Sequence, residues 1–113
     1  MKNERLYLVH IAEALQSIIE YTAEGEAFFQ GDPKTQDAVL RKFEIIGEAT
    51  KRLSPRLREQ APEIPWGRMA RFRDLLIHAY DRVDLTVVRQ TIEIRVPELL
   101  QQVQAFMRRL EIQ

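Results

Sequence analysis

The stretch Arg71–Asp84, RFRDLLIHAYDRVD, decides how the chain is read. Together with the preceding Met69 it sets Met69, Phe72, Leu76 and Ala79 at steps of three and four residues. At roughly 100° per residue these four fall on one narrow stripe, the pattern of a helix that buries one face. The same arithmetic sorts the polar residues. Arg73 and Tyr80 share one flank, Arg71 and His78 share the other, and Asp74 points most directly away from the stripe, one turn before His78. Arg73 and His78 are separated by roughly 140° of arc. One ideal helix does not aim both at the same atom. Two copies meeting across a symmetric dimer would bring two arginines and two histidines into one groove.

Helical spacing continues in both directions from this stretch, and period-two alternation is almost missing. Leu8, Ile11, Leu15, Ile18 and Thr22 predict a first helix from Asn3 to about Gln30, loosened at Gly25 and stopped at Gly31. Asp32 before Pro33 is a good N-cap and first-turn pair for a helix to about Leu53, with Val39, Phe43, Ile46, Thr50 and Leu53 on its stripe. Gly47 lies on the flank of that stripe, where a missing side chain would let another helix approach closely. Ser54 and Pro55 signal a short helical turn over Pro55–Gln60, and Pro62 and Pro65 stiffen the link to Trp66. A third long helix is expected from Trp66 to Tyr80. Asp84 is expected to cap a fourth, which Pro97 should kink or divide before an end near Leu110. The sum is an all-α, antiparallel, up-and-down bundle of four to five helices filling residues 1–113 as a single domain.

Composition agrees with one compact domain. The chain has 113 residues, 45% hydrophobic and 30% charged, a globular balance. Lys plus Arg and Asp plus Glu both total 17, so no net field advertises nucleic acid or a membrane, and an RNA ligand would need a local patch. There is no cysteine, which excludes disulfides and thiolate metal sites and fits a reducing cytoplasm. The start MKNERLYLVH has no signal-peptide core, and no apolar run approaches the roughly 20 residues of a membrane span.

The polar residues of the opening stretch suit one chemistry. Histidine moves protons near neutral pH, and arginine binds phosphate oxygens in a charged fork. Together they fit RNA cleavage in which the ribose 2′-hydroxyl attacks its own phosphodiester, a reaction that calls for neither metal nor cofactor. Asp74 would orient the imidazole or fix Arg73. From spacing alone the alternative stands: arginine and histidine are common on exposed flanks, and Asp74 with His78 is an ordinary i,i+4 pair.

The stretch RDLLIHAY fits the Arg-x4-His-x-Tyr motif of the HEPN superfamily, in the form carried by HepT-like toxins. YLVHIAEALQSIIEYT, TQDAVLRKFEIIGEATKRLS, PEIPW and HAYDRVD resemble segments of that family in the same order, covering about Tyr7 to Leu100. The resemblance implies a HEPN bundle that dimerises through its motif helices. It implies a metal-independent endoribonuclease acting as the toxin of a type VII-like toxin–antitoxin system. Arg73 and His78 would be catalytic, with Asp74 beside them where the family frequently has asparagine. An acid there can orient a neighbour but repels phosphate. Arg68, Arg71 and Arg82 would offset that charge and bind the RNA backbone, or form a solvated face. Tyr80 takes the place of the tyrosine that receives AMP from a minimal nucleotidyltransferase antitoxin, which would put charge and bulk into the groove. The alternative is a non-catalytic HEPN interaction or nucleotide-binding module, or a purely structural helical dimer.

Three further residues or pairs draw notice. His10 is a second acid–base group or, without a partner motif, a packing histidine. Glu44 and Glu48 resemble a carboxylate pair, but no Glu-x-x-His completes a di-metal set. Trp66 is expected to plug the bundle end, with base stacking the weaker reading.

Overall fold

The computed structural model describes residues 4–78 and 84–111, with the side chains of residues 75–78 outside the description. Among the described residues there are seven helices and no strand: α1 (Glu4–Tyr21), α2 (Glu26–Gly31), α3 (Pro33–Lys51), α4 (Pro55–Arg58), α5 (Trp66–His78), α6 (Leu85–Ile94) and α7 (Val96–Arg109). The all-α bundle expected from periodicity is the observed architecture.

Helix α3 occupies the middle. It packs on α1 along one side and on α5 along another, and α7 covers α1. The buried stripe follows the spacing that predicted it: Leu8, Ile11, Leu15 and Ile18 on α1 are fully inaccessible, and Val39, Phe43, Ile46 and Thr50 on α3 are buried. Thr50 satisfies its hydroxyl by donating to the Ile46 carbonyl at 2.7 Å. Arg52 lies over the Tyr7 ring, and the Glu4 carboxylate accepts from the Ser54 backbone N–H, so the end of α3 meets the start of α1. That contact holds the Glu4 carboxyl below its ordinary pKa. Arg5 donates to the Leu110 carbonyl, bringing the end of α7 to the same place.

The first predicted helix is too long. The expected helix runs to about Gln30, but α1 stops at Tyr21. The chain tightens into a turn in which the Ala23 N–H bonds to the Glu20 carbonyl, and Gly25 takes φ +97° before α2 begins. Asp32 sits at the predicted cap position of α3 with extended backbone, yet its carboxylate accepts from the Thr35 hydroxyl at 2.6 Å and caps no backbone N–H. Asp84 does cap as read, accepting from the Thr86 backbone N–H, and Ser54, read as the start of a short helical turn, accepts from the Leu57 backbone N–H. The break expected at Pro97 divides two helices: α6 ends at Ile94, and Pro97 opens α7.

Trp66 closes one end of the bundle. It is 6% exposed, meets Phe106 edge-on at 6.2 Å and donates its indole N–H to the Ala61 carbonyl at 3.1 Å. No face remains for a base. No helix among the described residues is long and apolar enough to cross a membrane.

Candidate active site

Helix α5 presents Met69 to the core, and Phe72 meets Phe43 of α3 edge-to-face at 5.0 Å. This anchoring fixes where Arg73, the next residue, must lie. It lies directly over Gly47. A Cβ added to Gly47 would stand 1.9 Å from Arg73 Cβ and 3.2 Å from its Cα. The glycine anticipated as a point of close helix approach therefore receives the motif arginine itself.

From that saddle the Arg73 side chain runs across α3 with 25% of its surface exposed. Its Nη2 forms an ion pair with Glu48 Oε2 at 3.0 Å, and its Nη1 donates to Asp74 Oδ1 at 3.4 Å. Its Nε is buried without a hydrogen-bond partner among the described residues. Asp74 is held in turn by Lys51, whose ammonium donates to the same Oδ1. That contact, more than the nearby Arg73, keeps the Asp74 carboxyl below the usual carboxylate range. Asp74 thus points toward α3 and not straight out to solvent as the angular reading placed it. It remains an ionised acid that braces the arginine.

Arg73 also borders an open cleft of about 200 Å³, where it is joined by Tyr7 and His10 from α1, by Arg41, Glu44 and Glu48 from α3 and by Arg52, which caps α3. The carboxylate pair noted in the sequence is taken up by cations: Glu44 lies 3.5 Å from Arg41, and Glu48 binds Arg52 at 3.3 Å as well as Arg73. Arg68 and Arg71 stand away from this cluster. Arg68 lines a different groove, with Phe72, Arg95 and Leu99, and Arg71 is exposed, folded back toward Gly67. His78 ends α5, but its side chain lies outside the described residues, as do Tyr80 and Arg82 altogether.

Sequence reasoning missed Glu48, Lys51 and Arg52 as neighbours of Arg73, and Tyr7 as a wall of the cleft. A signal existed for part of it. Arg41, Glu44, Glu48 and Arg52 recur at three- and four-residue steps, a polar stripe beside the apolar one.

Residues 11–106 match the family described as Ribonuclease HepT-like, a span that contains Arg73, Asp74, His78 and Tyr80. The chain is 47% identical over 100 residues to a protein of Thermococcus cleftensis named "Probable ribonuclease HepT", covering 87% of this chain and 90% of that one. A relative from Caldanaerobacter subterraneus subsp. tengcongensis, named as a candidate RNase, is 39% identical over 111 residues, 96% of this chain and 98% of the relative. In Methanocaldococcus jannaschii a relative named as a gamma-glutamylcyclotransferase and candidate RNase is 39% identical over 97% of this chain and 50% of its own length. No solved structure matches the chain. An all-α bundle whose sequence carries an Arg-x4-His-x-Tyr motif, matched over this span and at these identities, belongs to the HepT-like ribonuclease family.

Proposed function

We propose that this protein is a metal-independent endoribonuclease, the toxin of a type VII-like toxin–antitoxin pair, silenced when a minimal nucleotidyltransferase antitoxin transfers AMP to Tyr80. The observation that carries the reading is the family match across the motif helix, with Arg73 seated on Gly47 at the edge of an open cleft.

In this mechanism the ribose 2′-oxygen attacks the adjacent phosphorus. A P–O2′ bond forms and the P–O5′ bond breaks, leaving a 2′,3′-cyclic phosphate and a 5′-hydroxyl. His78 takes the 2′-hydroxyl proton, and a proton is returned to the departing 5′-oxygen, from the second copy's imidazole in a shared groove. The guanidinium of Arg73 stabilises the charge that builds on the phosphoryl oxygens. Glu48 and Asp74 hold that guanidinium in place before substrate arrives, which lowers the ordering cost of binding. Arg68, Arg71 and Arg82 serve as further backbone contacts. A symmetric dimer is part of the proposal, because Arg73 and His78 diverge by roughly 140° on one helix.

Silencing follows from charge. The Tyr80 oxygen attacks the α-phosphate of ATP, pyrophosphate leaves, and the tyrosyl-AMP brings a negative group where RNA phosphate must sit.

Incubation of the purified protein with RNA in EDTA tests the reading. It should yield products ending in 2′,3′-cyclic phosphate, and ATP, Mg²⁺ and the nucleotidyltransferase should then add AMP mass and stop cleavage. Tyr80→Phe should cut RNA yet escape silencing. Cleavage that needs added metal, or an unchanged mass with an active partner, would overturn the corresponding part. Mixed dimers of wild type with His78→Ala should be as inactive as the fully substituted dimer if both imidazoles serve one shared groove; a mixed dimer that keeps a working wild-type site would argue for a site within one copy.

A further inference from the structure

The cleft beside Arg73 holds more than a phosphate-binding arginine requires. Two rings from α1 form one wall: Tyr7 and His10 stand 6.1 Å apart, centroid to centroid, with planes at 71°. Neither is a core residue. Both are half-buried, whereas Phe29, Phe43, Trp66 and Phe106 supply the aromatic core. Arginine and glutamate alternate along the rest of the lining, with Ile45 and Ala49 between them. Arg52 lies 5.7 Å over the Tyr7 ring and is 55% exposed, and Arg41, at the far end, is 70% exposed.

Glu48 links these features to the reacting position. Its Oε1 binds Arg52 and its Oε2 binds Arg73, so one carboxylate holds the two guanidinium groups side by side. Three guanidinium groups border the cleft against two carboxylates, leaving a local cationic surplus in a chain of zero net charge. Aromatic faces interleaved with arginine in a concave site form the pattern that binds single-stranded nucleic acid: bases stack, and cations track the backbone.

We infer that the cleft of Tyr7, His10, Arg41 and Arg52 is a nucleotide subsite for single-stranded RNA, holding the nucleotide next to the phosphate at Arg73. The base packs against the Tyr7–His10 wall, Arg52 takes the neighbouring phosphate in exchange for its contact with Glu48, and Arg41 meets the strand as it leaves. Stacking reads a ring face and not a base edge, so the subsite tolerates different bases and excludes duplex, whose bases are already stacked. This inference rests on the ribonuclease reading above.

The test uses a fluorescein-labelled single-stranded RNA in 2′-O-methyl form, which lacks the nucleophile and so reports binding alone, together with the cleavable RNA of the same sequence. Tyr7→Ala should weaken binding by about 5- to 150-fold, the range of one lost stacking contact. The loss should fall on KM and not on kcat. Tyr7→Phe, which keeps the ring and loses the hydroxyl, should retain most of the binding. Arg52→Gln changes an exposed side chain outside the core and so keeps the inference open should Tyr7→Ala fail to fold. It should lower the dependence of log Kd on log salt by about one phosphate contact. If the wild-type chain cuts RNA while Tyr7→Ala and Arg52→Gln bind it as the wild type does, the subsite is wrong and the ribonuclease reading stands. A wild-type chain that neither binds nor cuts RNA overturns both.

Discussion

The two faces of α3 do different work. On one, Val39, Phe43, Ile46 and Thr50 are buried, and the Thr50 hydroxyl is satisfied by the Ile46 carbonyl. On the other, Arg41, Glu44, Glu48 and Arg52 stand in an open cleft, and their charges are shared between neighbours instead of removed from water. The buried face sets stability, since apolar burial is the larger free-energy term. The cleft face carries the proposed site, and its exposed ion pairs contribute little to folding. Gly47 lies on the border between them and takes part in both.

The contrast breaks most visibly at Phe43. Phe43→Ala removes the ring that meets Phe72 and should cost about 3–5 kcal/mol, read by chemical denaturation. A loss under 1 kcal/mol would mean that the α3–α5 contact is not the core junction described. Gly47→Ala should cost less, about 1–3 kcal/mol from forced overpacking against Arg73 Cβ and Cα, even though alanine gains about 1 kcal/mol in helix propensity. Unlike Phe43→Ala, it should also displace the arginine, so RNA cleavage should fall further than stability does. A stabilised Gly47→Ala protein with unchanged cleavage would dissolve the border between the faces.

The smallest expected effect belongs to Asp74. Its carboxyl is held below the ordinary value chiefly by Lys51, and a carboxylate so depressed stabilises the fold above its unfolded pKa of about 3.9. That contribution is lost as pH falls through the lower, folded value. Asp74→Asn should therefore melt slightly lower than wild type at about pH 7, and the gap should close at strongly acid pH. A gap that widens on acidification would mean the carboxylate is not stabilising.

Much of the fold was legible because helices advertise a buried face locally. The α3 stripe, the Asp84 cap and the division at Pro97 each depend on residues close in sequence. The end of α1 did not: its stripe reaches Thr22, past the last helical residue, and the backbone freedom of Gly25 marks the turn. Asp32 has the right identity for a cap, but the hydroxyl of Thr35 captures its carboxylate, a choice between two short-range acceptor geometries that residue type does not settle. The site was legible in part for the same reason. Arg73 and Asp74 were found through the motif, and Gly47 through its position on the stripe. The cleft was not, because Tyr7, Arg52 and Arg73 come from three helices, and no spacing within one helix reports that they meet. Trp66 shows the converse: its aromatic ring suggested two roles, and packing against Phe106 leaves one.

Single-turnover cleavage of RNA in EDTA, by wild type, Arg73→Ala and His78→Ala chains matched for melting temperature, tests the central claim most directly. Wild type should cut without added metal, and each variant should lose at least about 100-fold in rate, the scale of a removed proton-transfer or charge-stabilising group. A folded Arg73→Ala or His78→Ala protein that cuts at the wild-type rate would contradict it.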